Sequence, residues 1–114
     1  MPDNVVYLDY ADGVKRVMNN AKFYAKLLTK FKNETKLDDL EAGIVTGDME
    51  KAQAAAHTIK GLAANLSLSE LFKQSLELET QLKAGTIDPN QLETVKTVFA
   101  ATLQEIEKVI EANG

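Results

Sequence analysis

"AAAHTIKGLAANL", residues 54–66, contains the chain's single histidine, His57, with a glycine, Gly61, four positions later. Wound at about 100° per residue, this stretch gathers Ala52, Ala55, Ala56, Ile59, Leu62, Ala63 and Leu66 on one side. His57 falls roughly 150° from the centre of that stripe and therefore faces outward. A helix so strongly divided must lay its apolar side on other helices.

The neighbouring segments supply them. A short helix is expected around 9–18 and a long one from about 21 to 46, followed by Gly47-Asp48 as stop and N-cap. The histidine helix runs from there to about Leu66. "SLSE" at 67–70 matches a capping box, with Ser67 as cap and Glu70 reaching back. The next helix ends near Ala84-Gly85, and "DPNQ" at 88–91 offers Asp88 as cap, Pro89 at the first helical position and Gln91 as the reciprocal partner. The last helix runs nearly to the chain's end. Its stripe is Leu92, Val95, Phe99, Leu103, Ile106 and Ile110, and the preceding helix has Leu68, Leu71, Phe72, Ser75, Leu78 and Leu82. In the long helix the step of six from Phe31 to Leu37 breaks phase and predicts a bend near Glu34–Lys36. The expected fold is all-α: an antiparallel four-helix bundle with a short N-terminal covering helix, forming one domain over residues 1–114.

Composition narrows the function. With 114 residues, 45% of them hydrophobic and 26% charged, the chain can bury a modest core. There is no cysteine, which removes disulfides and thiolate chemistry, and one histidine rules out a multi-histidine metal site within a single chain. The net charge of -4 argues against a nucleic-acid partner. No apolar run reaches the length of a membrane span, and the N-terminus lacks the features of a signal peptide, so a cytoplasmic monomer is expected. The start at Met1 and the short tails point to a complete small protein rather than an excised module.

The surroundings of His57 carry the chemistry. Its helical neighbours are Ala54, Lys60, Gly61 and Ala64. Three are nearly without side chains, and a bulky residue at 61 would lie over the ring, because helical side chains lean toward the N-terminus. Glycine there costs about 1 kcal/mol relative to alanine. That cost makes sense if the space above the ring must stay empty for a docking protein. Histidine has a nucleophilic nitrogen at neutral pH, and Lys60 can balance the charge of a phosphoryl group placed on the ring. Hydrolysis fits poorly, since a convex helix offers no water-excluding pocket or fixed oxyanion donors. Covalent carriage of a phosphoryl group fits better.

These residues resemble the histidine-containing phosphotransfer (HPt) domain family. "AHTIKGLAANLSLSEL" (56–71) is similar to its phosphoacceptor segment, usually His-x-Leu-Lys-Gly followed by small residues and Leu-Gly. "DGVKRVMNNAKFYAKLLTKF" (12–31), "GD" (47–48) and "LELE" (76–79) extend the resemblance over most of the chain. It implies that His57 carries a phosphoryl group between aspartates of response-regulator receiver domains, that Lys60 and Gly61 act beside it, and that a hybrid sensor kinase is among the partners. Two positions depart from the pattern. Leu62 replaces a small or polar residue, and Ser67 replaces a glycine. The resemblance also implies a polar residue from the neighbouring helix to hold the imidazole, for which Glu77, Glu79 and Gln81 are all within reach.

Glu79 falls within the apolar stripe of its helix. The commoner reading is a structural residue paired with a lysine or a free amide near a bundle end; the other is a partner for His57. Tyr7, Tyr10 and Tyr24 read as packing residues, and Lys22, Lys26, Lys30, Lys32 and Lys36 as a solvated face. No Gly-rich loop or Walker-type lysine for ATP is present, so the chain is expected to be a phosphocarrier without kinase activity or a cofactor of its own. Mg²⁺ would belong to the receiver. The competing reading is a non-catalytic helical adaptor that binds receivers through the same face.

Overall fold

A phase break in the apolar pattern becomes a break between two helices. The computed structural model describes residues 5–33 and 36–113. In place of one bent helix over 21–46 it has two, α2 (Ala21–Asn33) and α3 (Leu37–Thr46). Of the expected bend, Glu34 and Thr35 lie outside the described residues; Lys36 caps α3 without a side-chain hydrogen bond. The two halves serve different neighbours. α2 buries Tyr24, Ala25, Leu28 and Phe31, and packs on α6 (Pro89–Asn113). α3 buries Leu40 and Gly43, and packs on α4 (Met49–Asn65). A single straight helix could not present both stripes in those directions.

α4 packs on α5 (Ser69–Lys83), α5 on α6 and α6 on α2, closing a four-sided bundle. α1 (Tyr10–Arg16) lies beside α2 as the short N-terminal cover. Among the described residues there is no strand, and no helix is long and apolar enough to cross a membrane. Ion pairs record the antiparallel course of α6: Lys32 meets Glu107 at 2.8 Å and Glu41 meets Lys96 at 3.0 Å. Phe31 and Phe99 stack across the α2–α6 seam with ring centroids 5.5 Å apart. Each such side chain contributes about 1.5–3 kcal/mol by leaving water. On α6 the buried line is Val95, Val98, Phe99, Thr102, Ile106 and Val109, while the expected Leu92, Leu103 and Ile110 flank it half-buried. Gly43 permits a close approach of α3 to α4, since a Cβ there would stand 2.7 Å from the Ala52 backbone nitrogen.

Gly47 ends α3 at φ 77°, and the Asp48 side chain accepts from the Lys51 N–H. At α6, Asp88 accepts from the Asn90 N–H, as expected of the cap. Gln91 does not close the box; it donates to the backbone and side-chain oxygens of Gln74 and ties α6 to α5.

The capping box expected at Ser67 and Glu70 is absent. Ser67 is in the left-handed region at φ 59°, and Leu68 occupies the cap position without a side-chain bond. The N-terminal segment takes over the box's work. The Glu70 N–H donates to the Val6 carbonyl, the Asp9 N–H donates to the Ser67 carbonyl, and the Ser67 hydroxyl donates to Asp12 at 2.6 Å. Buried Tyr24 adds a bond from its hydroxyl to the Leu66 carbonyl at 2.6 Å. Its ring lies so close to Gly13 that a Cβ there would collide with it. Tyr7 is partly buried and Tyr10 is exposed. Of the lysine face, Lys22, Lys26, Lys30 and Lys36 are exposed, whereas Lys32 is half-buried by its bridge to Glu107.

Candidate functional site

The middle of α4 lies alongside the C-terminal half of α5, a register fixed by Gln53 donating to the Leu82 carbonyl. α4 turns Ala52, Ala55, Ala56, Ile59 and Ala63 into the core, so His57 is carried to the outside. Its side chain is 67% exposed, as the wheel predicts. Glu79 comes up from α5 beneath it, and its side chain is only 4% exposed.

Of the three candidates for holding the imidazole, Glu79 does so. His57 Nδ1 lies 2.9 Å from Glu79 Oε2. Gln81 instead pairs with Glu77 at 3.1 Å, both on the flank of α5. The two readings of Glu79 therefore coincide: it is buried and lysine-paired, and it also touches the histidine.

Three basic groups converge on this carboxylate. Lys60 Nζ stands 2.7 Å from Oε1, and Lys83 Nζ stands 3.4 Å from Oε2. Burial is the largest single influence on Glu79 and pushes its pKa up. The hydrogen bonds from Lys60 and His57 and the charges of Lys60 and Lys83 outweigh it, leaving the carboxyl below the ordinary glutamate range. Glu79 is thus an anion at neutral pH and can only accept hydrogen bonds. The proton in the contact therefore sits on Nδ1, so the lone pair of the neutral imidazole is on Nε2.

The backbone at Gly61 faces open space. A Cβ on Gly61 would meet nothing within 4 Å. Ala54 is exposed and Ala64 half-buried. Ala64 also lines a shallow hollow of about 280 Å³ together with Asp12, Arg16, Ser67 and Phe72. Leu76, three residues before Glu79, is an exposed apolar side chain on the same helix. Lys60 is turned down onto Glu79, with 21% of its side chain exposed. Lys83 was not anticipated from the sequence. Its signal was the i,i+4 spacing from Glu79, legible only once Glu79 is known to reach His57.

In comparison with known families, the family described as Hpt domain fits residues 27–112. No curated protein and no solved structure matches the chain. The matched span contains His57, Lys60, Gly61 and Glu79, and begins within α2, so α1 lies outside it.

Proposed function

We propose, on the premise that the chain belongs to the Hpt domain family and so has a histidine phosphotransfer role in a phosphorelay, that His57 carries the phosphoryl group between receiver aspartates. One observation supports this above the others: an exposed imidazole whose Nδ1 is bound to a buried carboxylate. With Nδ1 protonated, the Nε2 lone pair attacks the phosphorus of a receiver's aspartyl phosphate. The Nε2–P bond forms, the acyl P–O bond breaks, and its electron pair stays on the departing carboxylate. The positive charge that develops on the ring faces Glu79 through Nδ1–H, where an anion in a partly water-excluded site is most effective. The reverse transfer follows the same path.

Lys60 holds Glu79 ionised and in place, and adds positive field near the phosphoryl group without leaving the carboxylate. Gly61, Ala54 and Ala64 leave room for the incoming receiver, and Phe72 and Leu76 offer apolar contact beside it. Mg²⁺ stays with the receiver's acidic pocket, and the chain contributes no kinase chemistry of its own. A phosphorylated receiver should label the protein on histidine, and His57→Gln should abolish that label. Undiminished labelling of the variant would remove His57 from the role.

A further inference from the structure

The two lysines at Glu79 are not equivalent. Lys60 is bound tightly to Oε1 at 2.7 Å and is largely covered, so its departure would strip one oxygen of a buried carboxylate of its partner. Lys83 shares Oε2 with His57, at the longer distance of 3.4 Å, and its side chain is 64% exposed. If Lys83 leaves, Oε1 still has Lys60 and Oε2 still has the imidazole Nδ1–H. Of the pair, Lys83 alone can move without orphaning Glu79.

Charge gives it a reason to move. In the unphosphorylated site two ammonium groups face one carboxylate, an excess of one positive charge. A phosphoryl group on Nε2 adds up to two negative charges within reach of a flexible four-carbon stem. Because Lys83 Nζ and His57 Nδ1 contact the same oxygen, the ammonium already stands beside the ring. We infer that Lys83 is the cation that contacts the phosphoryl group on His57, swinging from Glu79 Oε2 to the phosphoryl oxygens, while Lys60 remains on Glu79 as a positioning residue. This rests on the phosphocarrier reading above and adds to it a second basic residue, supplied by α5 rather than by the histidine helix.

The test needs no cognate partner. Phosphoramidate, a small phosphoryl donor, should label the whole chain: Nε2 attacks phosphorus, the P–N bond of the donor breaks, and ammonia leaves. The ³¹P signal of phospho-His57 is then titrated between about pH 5.5 and 8.5. An ammonium in contact favours the more charged phosphoryl form, so Lys83→Gln should raise the apparent titration midpoint by roughly half a unit or more. Lys83→Arg, which keeps the charge, should restore it. A labelled Lys83→Gln protein that titrates with the wild type would overturn the assignment of Lys83 and leave the phosphocarrier reading standing. A wild type that takes no label on His57 would sink both. Lys83 is exposed near the end of α5, so its variants should fold, and a folded Lys83→Gln protein is confirmed by its unchanged unfolding midpoint.

Discussion

Two carboxylates organise this bundle in opposite ways. Glu79 is buried within the α4–α5 seam, and its partners come from α4 and from its own helix: an imidazole and two lysines. Asp12 lies at the surface on α1, where it accepts from the Ser67 hydroxyl and from Arg16 at 2.8 Å. Both are held below the ordinary carboxylate range, but for different reasons. At Asp12 the Ser67 and Arg16 hydrogen bonds lead; at Glu79 burial opposes the shift and basic partners overcome it. Asp12 fastens a segment to the fold and points nothing at solvent. Glu79 uses the same type of bond to aim an exposed ring. The difference lies in what stays free once the bonds are made: at Asp12, nothing chemical, and at Glu79, a nitrogen lone pair.

The largest effect should come from removing the buried hub. Glu79→Ala leaves Lys60 turned into a partly covered site and frees the imidazole. It should cost about 2 kcal/mol of stability, as expected for losing hydrogen bonds to a charged group. Labelling of His57 should slow at least tenfold, because the tautomer is no longer fixed. Urea unfolding and phosphoramidate labelling measure the two effects separately. Equal labelling rates in variant and wild type would mean that Glu79 is a structural residue like Asp12. Glu79→Gln refines the comparison through pH. The depressed pKa of Glu79 contributes stability at pH values above the ordinary glutamate range, about 4.3, and that contribution is lost as pH falls through the lower folded value. The variant should therefore show a smaller stability difference between pH 7 and pH 3 than the wild type.

The clasp can be tested at Ser67. Its left-handed backbone costs a non-glycine residue about 1 kcal/mol. Ser67→Gly loses the bond to Asp12 but relieves that cost, whereas Ser67→Ala loses the bond and keeps it. The alanine variant should be less stable than the glycine variant by about 1 kcal/mol, and both should be labelled on His57 at the wild-type rate. If the two were equally stable, the turn would carry no strain. If labelling fell with either, the clasp would be part of the site.

These contrasts also show what local pattern can and cannot convey. The outward placement of His57 and the open space over Gly61 were legible because both follow from the geometry of one helix. The choice among Glu77, Glu79 and Gln81 was not, because it depends on how far α5 is rotated against α4. That rotation is set by contacts such as Gln53 to Leu82 that leave no periodic trace. The capping box misled for a related reason. Ser67 and Glu70 have the right spacing, yet the Glu70 N–H is met by the Val6 carbonyl and the Ser67 carbonyl by the Asp9 N–H, some sixty residues earlier. The glycine expected at position 67 from the family pattern was the better clue, since it marked a left-handed backbone. The step from Phe31 to Leu37 gave the position of the break but not its form, a change of packing partner from α6 to α4.

Gly61 should separate fold from function with a change of opposite sign. Nothing stands within 4 Å of a Cβ at this position, so Gly61→Ala should stabilise the protein by up to about 1 kcal/mol through helix propensity. Gly61→Leu should fold as well and still accept phosphoryl from phosphoramidate, but slow transfer from a receiver several-fold by occupying the docking space. Unchanged receiver transfer in the leucine variant would mean that the clearance serves no partner.

The smallest effect is expected one turn before Glu79. Ser75 is buried on the same helix, and its hydroxyl has no hydrogen-bond partner among the described residues. It is a buried polar group like Glu79, without the partners that give Glu79 its role. An unsatisfied hydroxyl in the core is costly, so Ser75→Ala should be neutral or stabilising by about half a kcal/mol, with labelling of His57 unaffected. A clear loss of stability would reveal a partner for the hydroxyl in solution, such as a buried water. Slower labelling would extend the site down α5 beyond Glu79, and burial with basic partners would then no longer be enough to tell a working polar residue from a silent one.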